Sequence, residues 1–130
     1  MKGRSLKDYF AKARKEKWAL AQFNVSCAEQ LQGVVEAGME TGSPLLIGTS
    51  QGDTSFFTPL LAVNLVAFWR KETDLPIFLN FDHGKSFEVL ERAAKAGYDA
   101  LHFDGSKLRL EENIKIAKQV VKLARKHRIS

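Results

Sequence analysis

Four apolar runs punctuate the chain, at residues 18–23, 45–49, 77–81 and 100–103, and each is closed by a small polar or ionisable residue: Asn24, Ser50, Asp82 and Asp104. Runs this short and continuously apolar predict strands buried on both faces. The stretches between them have helical spacing. Ser5 and Asp8 form a capping-box pattern that opens a short leading helix to about Lys15. Ser26 and Glu29 repeat the pattern before a helix carrying Leu31, Val34, Val35 and Gly38, which Gly42-Ser43-Pro44 stops. Pro59 suits the first turn of a helix over 60–70, ended by Leu75-Pro76. Ser86 caps another through Lys95, and Gly97 supplies the left-handed turn into the fourth strand. Ile114, Ala117, Val121 and Ala124 mark a last helix over about 110–126.

No Asn-Gly or similar hairpin signal interrupts the alternation, so the strands are expected to pair in parallel. The strand ends are spaced 22 to 32 residues apart, the length of a β/α unit. The predicted fold is α/β: the first four β/α units of a (β/α)8 TIM barrel, preceded by a short helix, with sheet order 1-2-3-4. Ile129-Ser130 reads as the opening of a fifth strand. A complete barrel needs about 250 residues, so residues 1–130 are expected to be the amino-terminal half of one. The competing architecture is a self-contained flavodoxin-like sheet, whose order would be 2-1-3-4. A half barrel would leave two free edges, with some of Leu79, Phe81, Leu101 and Phe103 facing water on the concave side, and is expected to dimerise or aggregate.

Composition narrows the class. With 45% hydrophobic residues the chain can build a core. The formal charge of +5 comes from 20 basic residues mixed with 15 acidic ones, and the excess sits in the helix-like stretches 2–17 and 115–128. That pattern is expected to be a solvated face, with no nucleic-acid partner. No run approaches the ~18 apolar residues of a membrane span, and residues 1–10 lack the apolar core of an export signal. Cys27, the single cysteine, has no intrachain partner and is expected to be a packed thiol. Together these predict a cytoplasmic location and no membrane association.

The chemistry concentrates at Asp82-His83, a carboxylate and an imidazole where the third strand runs out. In parallel α/β proteins the carboxyl ends of strands carry the site. Taken alone, such a pair is commonly a helix cap and a structural histidine. His102 shares a strand face with Asp104 and is expected to pack in the barrel interior, and His127, at a helix carboxyl end, is given no chemistry.

Beyond these single residues, Ala21-Gln22-Phe23-Asn24-Val25, Ser43-Pro44-Leu45-Leu46, Asp82-His83-Gly84-Lys85-Ser86-Phe87-Glu88, Ala96-Gly97-Tyr98, Phe103-Asp104-Gly105-Ser106 and Glu111-Glu112-Asn113 occur in this order. With these motifs the chain resembles the amino-terminal half of class II, metal-dependent fructose-bisphosphate aldolases. The resemblance implies that His83 is one of three histidines around a catalytic Zn²⁺, the others lying outside this chain. It implies that Asp82 is the acid/base that moves the proton of the substrate hydroxyl. Asn24 lines the substrate pocket, Ser50 lies at a phosphate site, and Asp104 stands near a second metal position. An anionic Asp53 beside Ser50 would oppose a phosphate there.

The implied partner is a phosphorylated ketose. Fructose 1,6-bisphosphate would be cleaved to dihydroxyacetone phosphate and glyceraldehyde 3-phosphate, a step of glycolysis and gluconeogenesis. The alternatives are tagatose 1,6-bisphosphate as substrate, or a non-catalytic flavodoxin-like domain that binds a phosphorylated ligand. A full-length homo-oligomer, dimer or tetramer, is expected, and the 130-residue chain alone is expected to be inactive.

Overall fold

The computed structural model describes residues 5–130; the first residues of the amino-terminal basic stretch, 1–4, lie outside that range. In chain order the elements are α1 (Leu6–Glu16), β1 (Gln22–Asn24), α2 (Ala28–Thr41), β2 (Leu45–Ser50), a 3₁₀ turn (Asp53–Ser55), α3 (Pro59–Thr73), β3 (Ile77–Gly84), α4 (Phe87–Ala96), β4 (Ala100–Phe103) and α5 (Leu110–His127).

Local chemistry accounts for most boundaries. The Ser5 amide donates to the Asp8 carboxylate at 2.7 Å and the Asp8 amide to Ser5 Oγ at 3.4 Å, completing the expected capping box. Thr58 and Ser86 accept from the amides of Leu61 and Val89, closing the first turns of α3 and α4. Gly42 and Gly97 end α2 and α4 in the left-handed region, where a side chain would be strained.

Two local expectations are corrected. Cys27, not Ser26, is the N-cap of α2, and it makes no side-chain cap bond. The Ser26 amide and hydroxyl instead both donate to Gln30 Oε1, at 2.8 and 3.0 Å, because Gln30 sits one position further along the turn than Glu29. The first strand pairs only over 22–24 rather than 18–23. The Trp18 amide instead donates to the Ala13 carbonyl at the end of α1, at 3.0 Å, and Trp18 and Leu20 pack against the cluster that Leu6 and Tyr9 form with Leu46 and Phe78.

The sheet is fully parallel in the order β1-β2-β3-β4. That order excludes the flavodoxin-like arrangement and is the one a (β/α)8 barrel requires. Beyond β4 the Ser130 amide donates to the Asp99 carbonyl at 2.9 Å, and its carbonyl accepts from the Leu101 amide at 3.0 Å. A residue bonded to both i−1 and i+1 of its neighbour is parallel-ladder pairing. Ser130 therefore lies against the open edge of β4, where a fifth strand was expected.

Alternation gives the sheet two unlike faces. One packs beneath the helices: Leu45, Ile47, Ile77, Leu79 and Phe81 join Leu31 and Val35 of α2, Val66 of α3, Leu90 and Ala93 of α4, and Val120 of α5 in a single core. Leu79 and Phe81 are only 1% exposed, and Leu101 and Phe103 pack against the same core. None of the four faces water on the concave side, which corrects that expectation. The register sets the phase of the opposite, inner face, pairing Leu46 with Phe78, Gly48 with Asn80 and Ser50 with Asp82. At the amino ends of the strands Leu6 and Tyr9 of α1 cover Leu46 and Phe78, and the Tyr9 and Phe78 rings lie 5.1 Å apart. At the carboxyl ends the inner face is polar.

Tyr98 anchors the helix-side core. Its ring meets Phe81 edge-on at 5.5 Å and its hydroxyl is 2.7 Å from Thr49 Oγ. Burial pushes the phenol up to about 12, against a smaller opposing effect of the Thr49 hydrogen bond. The folded state favours the neutral phenol, so this contribution to stability is complete below pH 10 and is lost as pH rises from 10 toward 12. Tyr98→Phe is expected to cost about 1–3 kcal/mol in urea unfolding, because it leaves the buried Thr49 hydroxyl unpaired. It should also flatten the pH dependence of stability in that alkaline window.

Candidate active site

The side chains gathered at the carboxyl end of the inner face come from all four strands or the loops just after them. β3 pairs Phe81 with Leu101 and then Gly84 with Phe103, so it spends one residue more than β4 over that interval. This bulge falls at Asp82-His83, and His83 takes a left-handed φ of 53°. Consecutive residues of a regular strand point to opposite faces. The bulge re-aims His83, so that Asp82 and His83 both meet His102. The left-handed backbone of a non-glycine residue costs of order 1 kcal/mol, which the strand pairing on either side sustains. Gly84 follows because a Cβ there would collide with Leu90 of α4.

Asp82 is held at both oxygens. Oδ1 is 2.8 Å from His102 Nδ1, and Oδ2 accepts from Asn24 Nδ2 at 2.9 Å. Asn24 Oδ1 accepts in turn from Gln22 Nε2 at 2.9 Å, and Gln22 Oε1 from Asn80 Nδ2 at 3.0 Å. The result is a continuous polar network, Asn80–Gln22–Asn24–Asp82–His102. Partial burial pushes the Asp82 carboxyl up, but the hydrogen bonds from His102 and Asn24 and the nearby imidazoles outweigh it, holding the group below the usual carboxylate value. Asp82 is thus an oriented anion.

Gly48 lies opposite Asn24 in the register, and a Cβ on it would run into the Asn24 and Gln22 amides. Gly48→Ala is therefore expected to push Asn24 off Asp82. The expected cost is about 1–3 kcal/mol of stability in urea unfolding, with loss of the Asn24–Asp82 hydrogen bond in a structure of the variant.

His83 Nδ1 is 3.1 Å from Asp104 Oδ2, and Asp104 Oδ1 accepts from the Ser106 amide at 3.1 Å. The Ser106 hydroxyl and amide, and then His83, hold the Asp104 carboxyl well below its usual range. The Asn113 amide at the start of α5 donates to the Gly105 carbonyl at 3.0 Å and fills the space a Cβ on Gly105 would need. The Asp-Gly-Ser and Glu-Glu-Asn motifs are thereby explained mechanically: the helix clamps the loop that aims Asp104 at His83.

Ser50 stands beside Asp82 in the register, but its hydroxyl donates to Asp53 Oδ2 at 2.6 Å and its amide to the same oxygen at 3.0 Å. Gln51 ties the rim together: its amide donates to the Asp82 carbonyl at 3.2 Å and its Oε1 accepts from the Lys85 amide at 2.9 Å.

All five residues singled out in the sequence, Asn24, Ser50, Asp82, His83 and Asp104, therefore share one rim. Three further participants were missed. Gln22 and Asn80 interrupt otherwise apolar strands, and that interruption was the available signal. His102 lies on the inner face as alternation required, yet its side chain is 47% exposed and bonded to Asp82, not packed in an interior.

A nitrogen from each of His83 and His102 and an oxygen of Asp82 lie within 4.8 Å of one another. Two imidazoles and a carboxylate are a donor set suited to zinc and similar divalent ions. Asp104 stands behind His83 and outside this cluster. The Arg70–Asp99 ion pair at 2.5 Å instead belongs to the framework, since Asp99 also accepts from the Leu79 amide at 2.7 Å and Arg70 Nε donates to the Ile77 carbonyl at 2.7 Å. Among the described residues no helix is long and apolar enough to cross a membrane.

Known proteins are similar to this chain. The chain is 38% identical over 114 residues to a fructose-bisphosphate aldolase of Helicobacter pylori, covering 87% of this chain and 37% of that protein. It is 32% identical over 129 residues to one from Geobacillus stearothermophilus, covering 97% and 45%. The YdjI aldolase of Escherichia coli K12 superposes with a TM-score of 0.87 at 28% identity, covering 97% of this chain and 49% of that one. The chain thus spans less than half the length of these relatives. Residues 4–130 match the family described as fructose-bisphosphate aldolase class-II, and with its strand order and strand-end residues the chain belongs to that family.

Proposed function

We infer that this chain provides the first four β/α units of a (β/α)8 barrel that cleaves fructose 1,6-bisphosphate to dihydroxyacetone phosphate and glyceraldehyde 3-phosphate, with Zn²⁺ as the metal. The observation that carries the reading is Asp82, ionised and fixed by Asn24 and His102, directly beside the imidazole of His83 on the rim of the inner face. In cleavage Asp82 takes the proton of the hydroxyl on C4. The C4–O bond becomes a carbonyl, the C3–C4 bond breaks, and its electron pair moves onto the C2 carbonyl oxygen to give an enediolate, which becomes dihydroxyacetone phosphate when C3 takes a proton from a second acid. In condensation Asp82 returns the proton. His83, aimed by Asp104, is the residue that would hold the divalent ion, which when bound supplies Lewis-acid stabilisation of the charge developing on substrate oxygens. Asp104 acts by fixing that imidazole.

Asn24 lines the pocket and keeps Asp82 Oδ2 in place. Ser50 lies at a phosphate end of the substrate. The Asp53 carboxylate, held by the Ser50 hydroxyl and amide, occupies the position an anion would take, so phosphate binding there requires Asp53 to turn away. The test is aldol cleavage by the protein at its natural length, assayed with both ketose bisphosphates before and after chelation. Chelator-sensitive cleavage of fructose 1,6-bisphosphate, restored by Zn²⁺, is expected. Faster cleavage of tagatose 1,6-bisphosphate would reassign the substrate, and cleavage indifferent to chelation would refute the metal-dependent reading.

A further inference from the structure

We propose that His102 is a second imidazole ligand of the divalent ion, binding through Nε2 next to His83, with Asp82 as the carboxylate that fixes its ring. The inference rests on the metal-dependent reading above and extends its ligand set to a residue to which neither the motifs nor the family likeness gives a role.

His102 Nδ1 lies 2.8 Å from Asp82 Oδ1, and a carboxylate oxygen is an acceptor, so this contact puts the ring proton on Nδ1. The His83 amide points at the same nitrogen from 3.5 Å, the outer limit of a hydrogen bond, and the much shorter Asp82 contact decides the tautomer. A neutral imidazole protonated at Nδ1 has its lone pair at Nε2. The same holds for His83, whose Nδ1 is 3.1 Å from the Asp104 carboxylate. Each ring is thus backed by its own carboxylate and left with one free σ-donor. A carboxylate behind the distal nitrogen is the usual support of a metal-binding histidine.

Position agrees. The rings lie 4.7 Å apart at an interplanar angle of 54°. Both side chains are about half exposed, 57% for His83 and 47% for His102, so neither is committed to packing. His83 Nε2 lies 4.0 Å from Asp82 Oδ2, and the three residues offer donors within 4.8 Å of one another. Donors around a tetrahedral zinc are roughly 3–3.5 Å apart, given metal–ligand distances of about 2.0–2.2 Å, so binding draws the two exposed rings inward around the ion. Among the described residues the ring of His102 hydrogen-bonds through Nδ1, which leaves Nε2 open to solvent or to an ion.

The test is titration of the metal-free protein, at its natural length, with Co²⁺, following the visible absorption bands and competing the cobalt with Zn²⁺. His102→Asn is the informative variant, because its amide can still donate to Asp82 while the Nε2 donor is gone. His102→Asn and His102→Ala are both expected to weaken Co²⁺ binding at least tenfold and to change the absorption bands. On adding Zn²⁺ to the unsubstituted protein, the ¹⁵N resonance of His102 Nε2 should move to a metal-bound position, a readout that needs no variant to fold. Unchanged affinity and spectrum in His102→Asn, or an unmoved His102 Nε2 resonance, would overturn the inference. If His83→Ala alone weakens binding, the metal site stands and the role of His102 falls. If neither histidine matters, both readings fall.

Discussion

His83→Ala is expected to lose metal and turnover together. Removing the imidazole takes away the donor that Asp104 aims and that the β3 bulge turns onto the rim. Changes behind a metal ligand already cost 10–100-fold in affinity, so loss of the ligand itself should lower zinc affinity by at least about 100-fold. Cleavage should fall by about 10³-fold or more, since several kcal/mol of charge stabilisation leave with the ion. Metal content by elemental analysis and kcat measured on one preparation check this. The fold should change little, because His83 is exposed and alanine keeps the same left-handed backbone. A variant that holds stoichiometric zinc would remove His83 from the ligand set.

Asp82→Asn separates proton transfer from metal binding. The amide keeps the size of the carboxylate but cannot take a proton, so kcat should fall by about 10²–10⁴-fold, the usual worth of a positioned base. Zinc should be retained, weakened by no more than about 100-fold through the altered support of His102. The split between retained metal and lost turnover identifies the base. Equal loss of both would make Asp82 principally a ligand. Normal turnover would mean that another group carries the proton.

The sequence was most legible where a residue has one structural use. Ser5, Pro59, Ser86, Gly42 and Gly97 mark helix ends by capping, first-turn geometry and left-handed backbone, and the ends they mark lie within a residue of the expected places, whereas α3 runs on to Thr73, past the expected 70. Parallel pairing followed from short β/α spacing and the lack of hairpin turns, whereas the order 1-2-3-4 rather than 2-1-3-4 was decided by the folded sheet. Which face of each strand turns inward was not legible, because parallel strands are apolar on both sides. Leu79, Phe81, Leu101 and Phe103 look the same as Leu46 and Phe78 until the register fixes the phase.

Polar contacts formed across strands were less readable still. Asn24 and Asp82 are 58 residues apart, as are Gln22 and Asn80, and only the folded sheet makes them neighbours. The bulge that turns His83 inward has no sequence marker beyond the glycine after it. His102 was misread because its environment, a polar rim, is created by the other strands. Trp18 was misread because its amide closes the end of α1 on the Ala13 carbonyl instead of joining the sheet.

The central claim is that the strand-end rim around Asp82 and His83 is the metal-bearing aldolase site. The most direct measurement is anomalous diffraction at the zinc absorption edge from crystals of the natural-length protein grown with Zn²⁺. The account predicts an anomalous peak at bonding distance, about 2.0–2.1 Å, from Nε2 of His83, with the Asp82 carboxylate alongside. Full zinc occupancy at a different place, with His83 Nε2 free, would contradict it.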